Sequence, residues 1–136
     1  MKTYHSKVFS LKKDIDQAYT LLSNPTNLKP FADKYGDKIN LKDLTLTSDA
    51  LSFSLPGVGP VVFRLAETEA PNYIKYKSEK SPVPMALSVN LSKHQEKTDA
   101  QLSLDVEVPA FMSGMVETVV KPLLDKVSGA AAELGE

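Results

Sequence analysis

The chain has 136 residues, enough for one domain with a real core, and its 42% hydrophobic and 24% charged residues are ordinary for a soluble globular protein. It contains no cysteine, which excludes disulfides, thiol catalysis and cysteine-ligated metals, and its net charge of −1 predicts no general attraction to nucleic acid. The N-terminus lacks the apolar run of a signal peptide, and no stretch approaches the roughly 20 apolar residues of a membrane span. We therefore expect a cytoplasmic protein with no nucleic-acid partner and no integral membrane segment.

The first predicted element is a strand over residues 3–11, and its alternation is irregular. Tyr4 and Val8 share one face, whereas Phe9 and Leu11 share the other. An edge position or a β-bulge would explain this change of parity.

Two short helices are predicted next, joined by a sharp turn. Asp14 can cap the first helix, with Gln17 three residues later as its partner. Asn24 is a good cap for the second helix, and Pro25 suits the first helical position because its missing N–H had no partner there. Gly36 is predicted to end the second helix.

After Gly36 the hydrophobic period changes from 3.6 to 2. Six consecutive runs each have one apolar and one polar face, which is typical of an antiparallel meander with one side in water. The apolar residues of the sheet must then all point to one side, and another element must cover them. The six runs are 44–47, 51–55, 61–66, 73–77, 85–92 and 102–108.

The predicted cover is a helix over residues 110–134, about 37 Å long at 1.5 Å per residue. Pro122 lies inside it and should kink it. Large apolar residues fill about half of its circumference, and Lys126 falls within their arc. The apolar arc comprises Phe111, Met112, Met115, Val116, Val119, Val120, Leu123 and Val127, and the opposite half comprises Gly114, Glu117, Thr118, Lys121, Asp125 and Ser128.

The widths of these two elements do not match. Six or seven strands at about 4.8 Å spacing make a sheet about 30 Å across, whereas one helix is about 10 Å wide. The sheet must therefore curl around the helix. Where it does not collapse fully onto the helix, an apolar cavity remains, and ligand pockets are typically about 300–1,000 Å³.

This order of elements resembles the helix-grip fold of the START-like superfamily, also called SRPBCC, which includes bacterial polyketide cyclase-like proteins. The similarity is carried by the segments DIDQAYTLLSNPTNLKPF, YIKYKSEKSPVPMALSVNL and VVKPLLDKV. The resemblance implies an α+β fold, with a curved antiparallel sheet of six to seven strands wrapped around a long C-terminal helix and two short helices after the first strand. It also implies that residues 1–136 form a single START-like domain.

Members of this superfamily commonly bind apolar molecules between the sheet and the long helix. We expect non-catalytic binding of an apolar or amphipathic small molecule of the lipid, isoprenoid or polyketide class, without a cofactor. The alternatives are a polyketide cyclase or aromatase-like enzyme, and a protein-interaction domain with a filled core. The pattern names neither the ligand nor an oligomeric state. The expected ligand-binding residues are Phe53, Phe63, Tyr76, Met85, Leu87, Leu104, Met112, Met115, Val119 and Lys126.

Few residues offer chemistry beyond binding. His5 and His94 are the only histidines and share no metal-binding spacing, so we expect no metal site and no catalytic set. Lys126 has two interpretations: a side chain that snorkels near the helix end, or a cation that pairs with a ligand carboxylate or phosphate. Tyr76 and Tyr19 are either core residues or donors of hydroxyl groups to the cavity.

Overall fold

The computed structural model describes residues 2–35, 42–55, 59–81, 83–109 and 113–134, and Gly36, predicted to end a helix, lies outside them. In chain order the elements are β1 Lys2–His5, β2 Phe9–Leu11, α1 Ile15–Ser23, a 3-10 turn Pro25–Leu28, α2 Lys29–Tyr35, β3 Lys42–Leu46, β4 Ala50–Leu55, β5 Gly59–Glu69, β6 Tyr73–Lys80, β7 Met85–His94, β8 Lys97–Val106 and α3 Ser113–Leu134.

The eight strands form one antiparallel sheet in the order β1-β8-β7-β6-β5-β4-β3, and β2 also pairs with β8. The predicted meander is confirmed, because each strand from β3 to β8 pairs with its neighbour in sequence. The sheet is seven strands wide, and the eighth strand arises because the single predicted N-terminal strand is two strands in line along β8.

The break between β1 and β2 is held by Ser6, which is buried. Its backbone N–H donates to the carbonyl of Leu102 at 2.9 Å, and its hydroxyl oxygen accepts from the Leu102 N–H at 3.0 Å. The side-chain amide of Gln101 donates to the Ser6 carbonyl at 3.0 Å. After this interruption the chain pairs with β8 again, but with its register shifted by one residue. The side chains that face the core are therefore Phe9 and Leu11, whereas Val8 is exposed.

The predicted caps Asp14 and Asn24 are both present, but Asn24 caps a 3-10 turn that precedes α2 instead of α2 itself. The Asp14 carboxylate accepts from the backbone N–H of Gln17 at 2.8 Å and caps α1. The Asn24 side chain accepts from the Thr26 N–H at 3.1 Å, and Pro25 takes the first position of the 3-10 turn.

Helix α3 continues through Pro122, and its buried face differs from the predicted one. Leu124 and Ser128 are buried, whereas Lys126, predicted to lie within the apolar arc, is exposed. The buried face is therefore rotated away from Lys126, whose charge would be costly to bury. Ser128 can be buried because it is small and its hydroxyl donates to the carbonyl of Asp125 at 3.1 Å.

The helices cover one face of the sheet, and we call this the inner face. Helix α1 lies over β6, β7 and β8, whereas α3 lies closest to β2 and also contacts β1, β8 and α2. Within the described ranges, no helix is both long and apolar enough to cross a membrane. The buried side chains of the inner face, α1 and α3 form one hydrophobic core, which includes Ala18, Ile74, Leu102, Val106, Val120 and Leu124.

Candidate binding site

The strand register aligns inner-face side chains in rows that cross the sheet. Tyr4 pairs with Leu104, which pairs with Leu87 on the next strand. Leu87 in turn pairs with Tyr76, and Tyr76 with Leu65. This row therefore runs across five strands, with a tyrosine on β1, another on β6, and leucines on either side of the second.

A second row lies one step closer to the edge where β6 ends and β7 begins. Leu51 pairs with Phe63 and Phe63 with Ser78, while Met85 pairs with Val106. The Ser78 hydroxyl accepts from the backbone N–H of Met85 at 2.9 Å, which joins the two halves of the row. This polar side chain is thereby satisfied on an otherwise apolar surface.

The aromatic part of the inner face lies on β4 and β5. Phe53 and Phe63 are both buried, and their ring centroids are 6.1 Å apart with a tilt of 31°. This tilted contact is within the range of favourable aromatic pairs. The two rings form a rigid apolar wall at the end of the site away from β1.

Several inner-face residues are only partly covered, although they point to the same side as the core. Leu51, Leu65, Met85 and Leu87 are half-buried and pack against the core cluster. The backbone of α3 lies nearer to β1, β2 and β8 than to β4 and β5. Helix α3 therefore covers one side of the inner face more completely than the other.

The expected ligand-binding residues are placed as follows. Met112 lies outside the described residues, as does the side chain of Met115, whereas Lys126 is exposed on α3. Because Lys126 lies on the exposed side of the helix instead of within its apolar arc, the structure supports neither the snorkelling nor the ligand-pairing interpretation. Six of the remaining seven belong to the core or pack against it: Phe53, Phe63, Tyr76 and Leu104 are buried, and Met85 and Leu87 are half-buried. Val119 on α3 is half-buried.

Tyr76 is held by its hydroxyl as well as by its ring. The ring is buried, and the hydroxyl donates to the carbonyl of Leu22 in the last turn of α1 at 2.7 Å. Burial raises the pKa of Tyr76 well above its ordinary value, and the nearby Tyr19 raises it further. The phenol thus stays neutral and joins β6 to α1, so its hydroxyl is already engaged by the protein.

Tyr4 is the functional candidate that sequence reasoning missed. Its side chain is 6% exposed, and its hydroxyl has no hydrogen-bond partner within the described part of the chain. The other buried side chains with polar groups, among them Thr98 and Ser128, do have partners. The alternation of residues along the first strand predicted only which face Tyr4 lies on. That its hydroxyl lacks a hydrogen-bond partner depends on the elements packed around it, which the sequence pattern does not give.

The two histidines lie outside the core. The His5 Nδ1 is 2.8 Å from the hydroxyl of Ser103, and the His94 Nδ1 is 3.8 Å from a carboxylate oxygen of Asp99. Both histidines are exposed. In the part of the chain that the structure describes, no three His, Cys, Asp or Glu side chains are grouped so as to hold a metal ion.

An open groove of about 490 Å³ lies elsewhere, on the solvent side of α1. It lies on the side of α1 away from the buried Ala18, and its lining side chains are mostly polar at their ends, whereas apolar carbon atoms supply most of its surface. It is distinct from the inner face, and its openness to solvent is unlike the enclosed sites that bury most of a small ligand. The groove is lined by Lys13, Asp16, Gln17, Thr20, Leu21 and Asn27.

No protein-family model matches the sequence, and no curated protein matches it. Similarity is found among solved structures. A START superfamily protein from Mycobacterium smegmatis has a TM-score of 0.70 and 12% identity, covering 98% of this chain and 96% of that one. A point mutant of norcoclaurine synthase from Thalictrum flavum, in complex with a transition-state analogue, has a TM-score of 0.73 and 15% identity over 98% of this chain and 92% of that one.

A third solved structure, the protein XoxI from Bacillus cereus, has a TM-score of 0.61 and 14% identity over 100% of this chain and 99% of that one. All three similarities extend over nearly the whole of both chains. The chain therefore has the START-like helix-grip fold, an α+β architecture with one antiparallel sheet and a long C-terminal helix. At such low identity these similarities establish the fold and not the ligand or the activity.

Proposed function

We propose that this protein binds an apolar or amphipathic small molecule between the inner face of the sheet and helix α3. The expected class is a lipid, an isoprenoid or a polyketide. Binding is non-catalytic: the protein holds the molecule and shields it from water.

The observation that carries this proposal is the half-buried patch on the inner face, which we define as Leu51, Leu65, Met85 and Leu87. These large apolar side chains face the helices and pack against the core, yet none of them is fully covered. Burial of apolar surface contributes about 25 cal/mol per Å² before the entropic costs of binding. A ligand that completes the cover of this patch would therefore gain its affinity mainly from the hydrophobic effect.

The side chains of this patch also suit a ligand of variable shape. Met85 is unbranched and polarizable, so it can adjust to different partners. The rings of Phe53 and Phe63, on β4 and β5, supply a firmer wall, with β6 between them and Met85. A site with one adaptable and one rigid side is suited to a class of related molecules.

A thermal-shift screen of fatty acids, sterols, isoprenoids and aromatic polyketides tests the proposal. A ligand at 100 times its dissociation constant adds about 2.7 kcal/mol to the free energy of unfolding. For a chain of this length we expect an increase of about 8–11 °C in melting temperature. Native mass spectrometry of the same mixtures should show the complex at one ligand per chain.

The variant that disrupts the proposed site is Leu87→Asp, which places a charge in the half-buried patch. This variant should fold with reduced stability and lose the ligand-induced shift, because an unpaired carboxylate disfavours an apolar ligand. If no class of compound moves the melting temperature of the wild-type protein and the mass spectrum shows only the bare chain, the proposal is wrong, and a protein-interaction domain with a filled core is favoured instead.

The enzymatic alternative finds some support in the similarity to norcoclaurine synthase, whose structure holds a transition-state analogue. A cyclase-like reaction needs groups that donate and accept protons near the substrate. Among the described residues, the phenols in or against the core are Tyr4, Tyr19 and Tyr76, and the hydroxyl of Tyr76 is already bonded to Leu22. The described residues therefore favour binding over catalysis.

A further inference from the structure

The hydroxyl of Tyr4 differs from the other buried side-chain polar atoms of the described residues in its hydrogen bonding. It has no hydrogen-bond partner there, although the residue is only 6% exposed. A buried hydroxyl without a partner is costly, and native proteins rarely retain one without a reason. Replacement by phenylalanine would remove that cost at the same ring volume.

The position of Tyr4 connects it with the proposed site. Tyr4 lies in the same inner-face row as Leu87 of the half-buried patch, with Leu104 between them. Two strand spacings, about 10 Å, separate the backbones of Tyr4 and Leu87. A small molecule that covers Leu87 must extend along the row, past the buried Leu104 and under α3, to reach the phenol ring.

The charges around Tyr4 restrict the kind of group it could bind. The ammonium group of Lys2, two residues earlier on β1, bonds to the carboxylate of Glu117 on α3 at 2.9 Å. Lys126, also on α3, is exposed. The described cations near Tyr4 are Lys2, which interacts with the phenol itself, and Lys121 on α3, and both interact with Glu117. A buried carboxylate would therefore lack a free counter-ion.

We propose that the Tyr4 hydroxyl is the polar anchor of the site and that it donates a hydrogen bond to a neutral oxygen of the ligand, such as a ketone or an alcohol. This inference depends on the proposed function, because it assigns the class of ligand for the same interior site. It narrows that class from any apolar molecule to one with an uncharged oxygen on an apolar body.

Three probes of matched shape test the inference by calorimetry or fluorescence titration: 2-acetylnaphthalene, 2-ethylnaphthalene and 2-naphthoic acid. The wild-type protein should bind the ketone about two- to tenfold more tightly than the hydrocarbon, the factor expected for one net hydrogen bond. The carboxylate should bind more weakly than the ketone. In Tyr4→Phe the preference for the ketone over the hydrocarbon should disappear.

The matched control is Tyr73→Phe. Tyr73 lies on β6 with the opposite parity to Ile74, and its hydroxyl is 3.2 Å from that of Ser88 on the other face of the sheet. This variant removes a phenol hydroxyl outside the site and should keep the ketone preference. In the unliganded state Tyr4→Phe should raise the melting temperature, because it removes a buried group without a partner.

The outcomes separate the two proposals. If the hydrocarbon and the ketone bind equally well to the wild-type protein, or Tyr4→Phe retains the preference, the anchor is wrong while binding itself stands. If the acid binds most tightly, the assignment to a neutral oxygen is wrong. If Tyr4→Phe lowers the melting temperature of the free protein, the hydroxyl has a partner in the protein and the anchor is wrong. If none of the three probes binds the wild-type protein, the proposed function fails for this class and the anchor fails with it.

A spectroscopic measurement on the wild-type protein complements the variant. The ¹³Cζ resonance of Tyr4 should move on addition of the ketone and remain in place on addition of the hydrocarbon. Equal movement with both probes contradicts a hydrogen bond from this hydroxyl.

Discussion

The hydroxyl of Tyr76 on β6 donates to the backbone carbonyl of Leu22 in the last turn of α1, at 2.7 Å. This bond joins two residues that are 54 positions apart in sequence and fixes α1 over the inner face of the sheet. It also distinguishes the two tyrosines of one inner-face row, because Tyr76 has a protein partner and Tyr4 has none within the described residues.

Replacement of Tyr76 by phenylalanine should destabilise the protein. The Leu22 carbonyl would lose its buried donor, which costs about 1–3 kcal/mol. Urea denaturation measures the change, with Tyr73→Phe as the control because the Tyr73 hydroxyl is on a half-buried side chain of the other face. A loss for Tyr76→Phe no larger than that of the control would contradict the assigned role of this bond.

Truncation of Leu124 tests which face of α3 is buried. Leu124 is 6% exposed, so Leu124→Ala should lower the free energy of unfolding by about 2–5 kcal/mol. Lys126→Ala, two residues later on the exposed side, should change it by about 0.5 kcal/mol or less. Equal effects of the two substitutions in chemical denaturation would show that the helix is rotated from the position described.

The ion pair between Lys2 and Glu117 should affect the titration of both groups. The hydrogen bond and charge of Lys2 hold the pKa of Glu117 below its ordinary value, with Lys121 adding to the effect, and Glu117 raises the pKa of Lys2. The contribution of Glu117 to stability is present above its unfolded-state pKa and is lost as the pH falls through its folded-state pKa. That of Lys2 is present below its unfolded-state pKa and is lost as the pH rises through its folded-state pKa.

Carboxyl-detected NMR of wild-type protein and Lys2→Met checks this assignment. The pKa of Glu117 should rise in the variant, because the hydrogen bond and the charge of Lys2 are the largest effects that lower it. The stabilities of the two proteins should converge in acid, once Glu117 is protonated in both. An unchanged Glu117 titration in Lys2→Met would mean that the ion pair does not form in solution.

Ser6 should contribute more to stability than is usual for a residue in the short segment between two strands. In Ser6→Ala the buried N–H of Leu102 loses the hydroxyl that accepts from it, at a cost of about 1–3 kcal/mol. Ser10→Ala is the matched control: the Ser10 hydroxyl bonds to Asp99 at 2.7 Å, but it is exposed, so the effect should be about 0.5 kcal/mol or less. If both variants are equally stable, the break between β1 and β2 is not held by Ser6.

Local patterns in the sequence were sufficient for most of the fold. The period-2 runs predicted the meander because each strand of the sheet has one face toward the helices and the other toward water. The caps at Asp14 and Asn24 were predictable because the side chain that satisfies the helix end is two or three residues from the N–H it accepts.

The features that the sequence did not predict depend on contacts between distant residues. The break at Ser6 is satisfied by Leu102, 96 residues away. Burial of Ser128 in place of Lys126 depends on how α3 is rotated against the sheet, which a helical wheel of side-chain types does not determine. The hydroxyl of Tyr4 is notable only because no distant group within the described ranges bonds to it.

The placement of a ligand on the inner face is tested most directly by methyl-detected NMR of the wild-type protein, titrated with 2-acetylnaphthalene. We expect the methyl resonances of Met85, Leu87 and Leu65 to move together and saturate at one ligand per chain. Movement confined to Leu21 in the open groove on the solvent side of α1, or no movement of the inner-face methyl groups at saturating probe, would contradict binding between the sheet and α3.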